Sequence, residues 1–254
     1  LCKQLSIPIS YSVGAKLSFG EMGQFDTKSR YFIYEADEFD RNFLAFHPYL
    51  SIITGVAWDH PDIYPTRQDY QDAFTQFIGQ SYQTIIWQSD QHALHLSENQ
   101  RLLEVDEDDS KIQDIQLTGL VNRKNAWQVI QAVHLLTDAP VDELINHMNQ
   151  FPGLSRRFEA IAPNIYSDYA HTPDGLAAVG GDRPEDQLPS GTDASGKSDY
   201  LIFVNFCTSK IHKVINFFLG FYFNVACVKF TVILFDFYNF FFDRLSHFIF
   251  CIII

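Results

Sequence analysis

The chain has 254 residues, a formal net charge of −13 and a pI near 4.9. Hydrophobic residues make up 46%, enough for a packed core, so wholesale disorder is excluded. The 31 Asp and Glu outnumber the 18 Lys and Arg, which leaves no basic stripe for phosphodiester and excludes a nucleic-acid-binding module. Nucleotides, bound by local geometry rather than net charge, stay open. The four cysteines, Cys2, Cys207, Cys227 and Cys251, show no C-x-x-C spacing and are too few for a disulfide scaffold, as expected for a reducing, cytoplasmic protein. Leu1–Leu5 form no signal peptide, and a start without Met is expected of a chain cut from something longer.

In chain order, Tyr31–Tyr34 is a β-rich run ending in carboxylates, and Leu50–Val56 is a second strand that runs into charged residues. Tyr70, Ala73, Phe74, Phe77 and Ile78 recur at helical spacing, predicting an amphipathic helix over 66–79 with Thr66 as N-cap. Thr84–Trp87 is a third strand. Asn122–Leu136 and the Val141, Leu144, Ile145, Met148 series predict two more helices, the latter stopped by Phe151-Pro152-Gly153. Arg157–Ala162 and Ile165–Tyr169 read as strands, and Pro173 opens another helical stretch. Strands alternating with helices predict an α/β fold with a largely parallel sheet flanked by helices.

The last fifth of the chain is different. Residues 201–254 hold 14 of the 24 Phe and only two acidic residues, Asp236 and Asp243, so this tail carries +2 and the first 200 residues −15. Gly180–Gly191, polar and rich in breakers, reads as a linker. A membrane-spanning helix needs about 20 mostly apolar residues, and Lys229, Asp236 and Asp243 interrupt every such window, so none is expected. Runs such as Phe240–Phe242 and Ile252–Ile254 have neither strand nor helix period. The abundance of Phe, Ile, Asn, Lys and Tyr, encoded by A/T-rich codons, favours a read-through sequence that packs little against residues 1–180.

Ligands of open α/β sheets gather at the carboxyl ends of strands. The first strand ends in Glu35-Ala36-Asp37-Glu38-Phe39-Asp40, four carboxylates in six residues, and the second leads to Trp58-Asp59-His60-Pro61-Asp62. A hard cation would relieve the repulsion, and a solvated acidic loop is the plain alternative. Gly119–Asn125 opens a helix whose N–H groups and amides suit a purine or phosphate, or simply cap the helix. Ser155–Glu159 offers a guanidinium for phosphate or for a surface ion pair. Asp168–Asp174 brings an acid, an aromatic and His171 together before a Pro-started helix.

The order of these motifs, Glu35-Ala36-Asp37-Glu38, Asp59-His60-Pro61-Asp62, Asn122-x-x-Asn125, Arg156-Arg157-Phe158-Glu159 and Asp168–Pro173, resembles the Mur ligase family over about residues 10–178. That resemblance implies an ATP- and Mg²⁺-dependent amide ligase of peptidoglycan precursor synthesis, which joins an amino acid or peptide to a UDP-N-acetylmuramate-type substrate through an acyl phosphate. Glu35 and His60 would hold Mg²⁺, Asn122 and Asn125 would meet adenine, Arg157 the phosphates and Asp168 the ribose. His171 would lie near the reacting centre, with Arg157 as the second catalytic residue. Glu35–Asp40 followed by Phe43-Leu44 looks most like the members that add L-alanine, with the tripeptide-recycling members second. His171–Leu176 is nearer the diaminopimelate- or lysine-adding members. Where the family usually has His before the first Asn, this chain has Val121.

The family's phosphate-binding loop should precede Glu35 by some dozens of residues, and residues 1–34 hold nothing like it. Gly191–Ser198 matches G-x-x-x-x-G-K-[ST] letter for letter, but a Pro-containing linker precedes it and a strand-like run follows, so Lys197 is expected to be a coincidence. The expected organisation is a partial central ATP-binding domain over 1–154, the start of a Rossmann-like C-terminal domain over 155–180, a linker over 181–200 and the tail over 201–254. The functional expectation is a truncated, inactive ligase, with a non-catalytic nucleotide-binding fragment as the alternative. Glu35 and His60 are further expected to follow neighbouring strands and share one edge.

Overall fold

A computed structural model describes residues 1–14, 17, 20–97, 99, 101–154, 156–162, 165–168, 201–204 and 249–253. The chain divides into two compact units, Leu1–Pro152 with His247–Ile254, and Gly153–Ser246.

The first unit is built on β1 (Ile9–Ser12), β2 (Gly23–Gln24), β3 (Tyr31–Ala36), β4 (Leu50–Ile53), β5 (Gln83–Trp87) and β6 (Leu102–Val105). Its helices are α1 (Arg67–Gln80), α2 (Gln88–Ala93), α3 (Leu120–Thr137) and α4 (Val141–Met148). Neighbours β1 and β3 are parallel, as are β4, β5 and β6. Both faces of this sheet are covered, which is why its strands are near-continuous apolar runs rather than alternating ones. Leu50, Ile52, Ile85 and Trp87 point to one face and pack with Trp127, Ile130 and Leu144 of α3 and α4. Ile53 and Ile86 point to the other face and pack with Tyr70, Phe74 and Phe77 of α1. Each such side chain, fully buried, stabilises the fold by about 1.5–3 kcal/mol.

Helix α1 starts where its sequence says. Thr66 Oγ1 accepts the Asp69 N–H (3.1 Å) and Asp69 Oδ2 accepts the Thr66 N–H (3.0 Å), a capping box that satisfies two end groups at once. Helix α3 begins two residues before Asn122. Gly119 precedes it at φ 86°, a left-handed conformation that suits glycine, and Asn122 Nδ2 donates to the Thr118 carbonyl at 2.7 Å.

Two expectations are corrected here. Strands β3 and β4 are not neighbours, because β10 (Ile249–Ile253) lies between them, antiparallel to both, in the order β2-β1-β3-β10-β4-β5-β6. Nor does the tail stand apart, since β10 pairs with two strands of the first unit. Its apolar residues suit the middle of a sheet covered on both faces. Ile249 lies opposite both Ala36 and Ile53, so β3 and β4 end level, about two strand spacings (~9.5 Å) apart. That common level brings the loops after β3 and β4 to one edge.

The second unit contains β7 (Glu159–Ala162), β8 (Ile165–Asp168) and β9 (Leu201–Val204), with β8 antiparallel to β7 and parallel to β9. The Rossmann-like continuation, the linker, His171 and the Gly191–Ser198 run lie outside the described residues.

Gln128, fully buried on α3, donates from Nε2 to the carbonyl of Ile53, the last residue of β4, at 2.8 Å. Gln128→Leu keeps the volume but strands that carbonyl, and should lower the unfolding free energy by about 1–3 kcal/mol in urea titrations.

Candidate functional site

After β3 the backbone doubles back at once. Asp37 Oδ1 accepts the Phe39 N–H at 2.8 Å, and a 3-10 turn over Phe39–Ala45 follows. Asp40 and Arg41 both take left-handed backbone conformations, φ 54° and 59°. Two donors hold this turn through the Glu38 carbonyl: the Arg41 N–H (3.0 Å) and the hydroxyl of fully buried Tyr64 (2.6 Å). After β4, Asp59 Oδ1 accepts the N–H of His60 at 2.7 Å, and His60 is also left-handed, φ 53°.

These turns bring three side chains together. His60 Nε2 lies 3.3 Å from Glu38 Oε1 and 3.7 Å from Asp59 Oδ2. Glu38, Asp59 and His60 are only 1%, 6% and 9% exposed, and the Phe39 ring meets the imidazole edge-on at 5.3 Å. Burying a carboxylate costs several kcal/mol unless it is paired and hydrogen-bonded, and the imidazole is the partner supplied here. Each left-handed non-glycine residue adds about 1–2 kcal/mol of strain. The surrounding core has to hold that strain in place.

Behind the cluster, the buried Tyr70 hydroxyl has no hydrogen-bond partner among the described residues. Burial, with the charges of Glu38 and Asp59, pushes its ionisation far above the usual tyrosine range. Burial and the same acidic loop do likewise to Tyr64. On α2, burial raises the Asp90 carboxyl from 3.8 to about 6 against the opposing effect of a hydrogen bond from the Val56 backbone.

The residues singled out from sequence fall as follows. His60 has Glu38 and Asp59 as its carboxylate neighbours. Glu35, 7% exposed, is the penultimate residue of β3, and its Oε2 accepts the Gly14 N–H at 2.7 Å. Asn122 and Asn125 lie in the first two turns of α3. Arg157 and Asp168 are in the second unit, where buried Asp168 Oδ2 accepts the Phe158 N–H at 2.7 Å and so braces the turn carrying Arg157. Sequence reasoning missed the pairing role of Glu38 and the parts played by Tyr64, Tyr70 and Asp90. Tyr64 carried one signal, a large aromatic four residues after His60.

Among the described residues no group of three or more His, Cys, Asp or Glu side chains is arranged to hold a metal ion unaided. Mg²⁺ takes one or two carboxylates and fills its octahedron with water and phosphate oxygens. The local chemistry fits that need, with buried carboxylates at one sheet edge and an imidazole facing carboxylates.

This fold has a counterpart of known structure. The UDP-N-acetylmuramate-alanine ligase of Thermotoga maritima matches 91% of this chain and 66% of its own, with a TM-score of 0.60 at 19% identity, a likeness of fold. No protein-family model matches the chain. Its sequence is 30% identical over 202 residues to a ligase of Lactiplantibacillus plantarum and 31% identical over 204 residues to one of Lactobacillus helveticus. Each match covers 68% of this chain and 45% of the relative. A ligase of Chloroflexus aggregans is 43% identical over 75 residues, 29% of this chain and 16% of its own. The chain belongs to the Mur ligase family. These three relatives are all UDP-N-acetylmuramate–L-alanine ligases, and the chain spans about half the length of the first two, 45%.

The raised carboxyl of Asp90 makes a pH prediction with a definite sign. The folded state binds its proton more tightly than the unfolded state, so stability is greatest below pH 3.8 for this group and is lost as pH rises to about 6. Asp90→Asn should therefore be more stable than the parent at pH 7, by about 1–3 kcal/mol, and the difference should shrink towards pH 4 in denaturant titrations at each pH.

Proposed function

We propose that this chain carries part of the ATP- and Mg²⁺-handling machinery of a ligase joining L-alanine to UDP-N-acetylmuramate. The supporting observation is the buried Glu38–His60–Asp59 cluster at the carboxyl edge, in a chain related to such ligases. A carboxylate does not react with an amine at neutral pH, because oxide is too poor a leaving group. Transfer of the γ-phosphoryl group of ATP makes an acyl phosphate, which the amino group of alanine attacks, and phosphate then departs. When bound, Mg²⁺ neutralises charge on the phosphoryl oxygens.

The chain's own residues have separable tasks in this reading. Glu35 and His60 are the proposed metal ligands. Glu38 and Asp59, which face Nε2 of His60, would orient the imidazole for that role. Asn122 and Asn125 meet adenine, and Arg157, braced by Asp168, meets phosphate. Asp168 and His171 serve the ribose and the reacting centre. The reading predicts Mg²⁺-dependent nucleotide binding by this chain.

The test is Mg²⁺-dependent ATP binding by calorimetry, beside ADP release with UDP-N-acetylmuramate and L-alanine. The expected result is binding weakened about tenfold or more by Glu35→Gln and by His60→Ala. Absence of Mg²⁺-dependent nucleotide binding would overturn the reading. ADP release that Glu35→Gln leaves unchanged would overturn the assignment of Glu35 to the metal.

A further inference from the structure

Among the described residues, two cations of the acidic edge have no carboxylate within ion-pair distance. Arg41 lies over the Tyr64 ring with its guanidinium carbon 5.2 Å from the centroid, and Arg67 lies over the Trp58 ring at 5.4 Å. Among the described residues neither guanidinium has an ion pair or hydrogen bond, although Asp37, Glu38, Asp40, Asp59 and Asp62 are all close in sequence. The two aromatic supports are joined, because Trp58 Nε1 donates to the Tyr64 carbonyl at 3.1 Å. Tyr64 in turn donates to the carbonyl of Glu38, whose carboxylate faces His60. Both arginines are thus fixed to the framework that sets the buried cluster.

A guanidinium lying over an aromatic ring differs from one held in an ion pair. The ring attracts the cation without accepting its N–H groups in the plane of a carboxylate, so those donors stay available to a planar or tetrahedral anion. A carboxylate pair would have consumed them. Arg41 is presented this way at the cost of two consecutive left-handed residues, Asp40 and Arg41. An anion arriving at an edge this acidic needs both a divalent cation and fixed positive charge to offset the repulsion.

We propose that Arg41 and Arg67, each lying over an aromatic ring beside the Glu38–His60 cluster, form an anion-receiving rim for a Mg²⁺-bound phosphoryl group. This deepens the ligase reading and rests on it for the identity of the anion, while the geometry stands without it. Arg41 and Arg67 are positioning residues that orient the phosphoryl oxygens through paired N–H donors.

The experiment measures Mg²⁺–pyrophosphate binding to the full chain by calorimetry at two salt concentrations. The variants are Arg41→Ala, Arg41→Lys, Arg67→Ala and, as a charge-matched control, Arg30→Ala. Arg30 also lies over an aromatic ring, Tyr31 at 5.6 Å, but just before the first residue of β3, at the opposite end of that strand. The proposal expects each of Arg41→Ala and Arg67→Ala to weaken binding about tenfold and to flatten its salt dependence. Arg41→Lys, which keeps charge but loses the fork, should fall between, and Arg30→Ala should bind as the parent does, all with unchanged near-ultraviolet circular dichroism. No binding by the parent chain, or equal losses in Arg30→Ala and Arg41→Ala, would overturn it. Arginine-dependent pyrophosphate binding without Mg²⁺-dependent ATP binding would sink the ligase reading and leave the rim standing. ATP binding that Arg41→Ala and Arg67→Ala leave untouched would do the reverse.

Discussion

Glu38 keeps its carboxylate almost wholly out of water, and most of the local structure at the sheet edge follows from that. An ionised carboxylate with no partner there would cost several kcal/mol, a large share of the net stability of a typical domain. Its partner, His60, comes from a different loop, so β3 and β4 must end level for the two to meet. The register of both strands against Ile249 meets that condition. Tyr64, fully buried, anchors the Glu38 carbonyl, and Phe74 and Phe77 of α1 press on the same core. The core against α1 thus does two things: it stabilises the sheet, and it holds three strained residues, Asp40, Arg41 and His60, in conformations they would not otherwise keep.

Strain and buried charge of this kind mark a place where a fold gives up stability for an arrangement of chemical groups. The arrangement has a direction. Nε2 of the imidazole faces carboxylates, two guanidiniums lie over aromatic rings, and a buried phenol at Tyr70 and the carboxyl of Asp90, raised by burial, stand behind. All of them lie on the loops and helices that follow β3, β4 and β5, where an α/β sheet collects its ligands.

Long periodic segments were legible in the sequence because one physical signal dominated each. Helix α1 declared itself through apolar spacing and the Thr66 capping box, and α4 through its four-residue apolar series. Strands β3, β4 and β5 showed as β-branched and aromatic runs. Short pieces such as β6 and α2 had no such period, and β1 was too brief to stand out. The level ends of β3 and β4 could not be read, because they depend on β10, about 200 residues away in sequence, and on a tail whose composition argued for isolation. Within the site, the residue types were visible and the pairing was not. Four carboxylates in six residues announced an unusual loop, but which of them meets His60 is decided by the left-handed turn at 40–41. Nothing in the sequence of Asp40-Arg41 requires that turn.

The central claim is that Glu38 and Asp59 orient His60 towards a cation shared with nucleotide phosphate. Paramagnetic broadening of the His60 ring resonances by Mn²⁺ in the presence of ATP tests this most directly. The account predicts strong, ATP-dependent broadening of His60 in the parent chain, largely lost in Glu38→Gln while other histidines such as His134 stay sharp. Bound Mn²⁺–ATP that leaves the His60 ring unbroadened would contradict it.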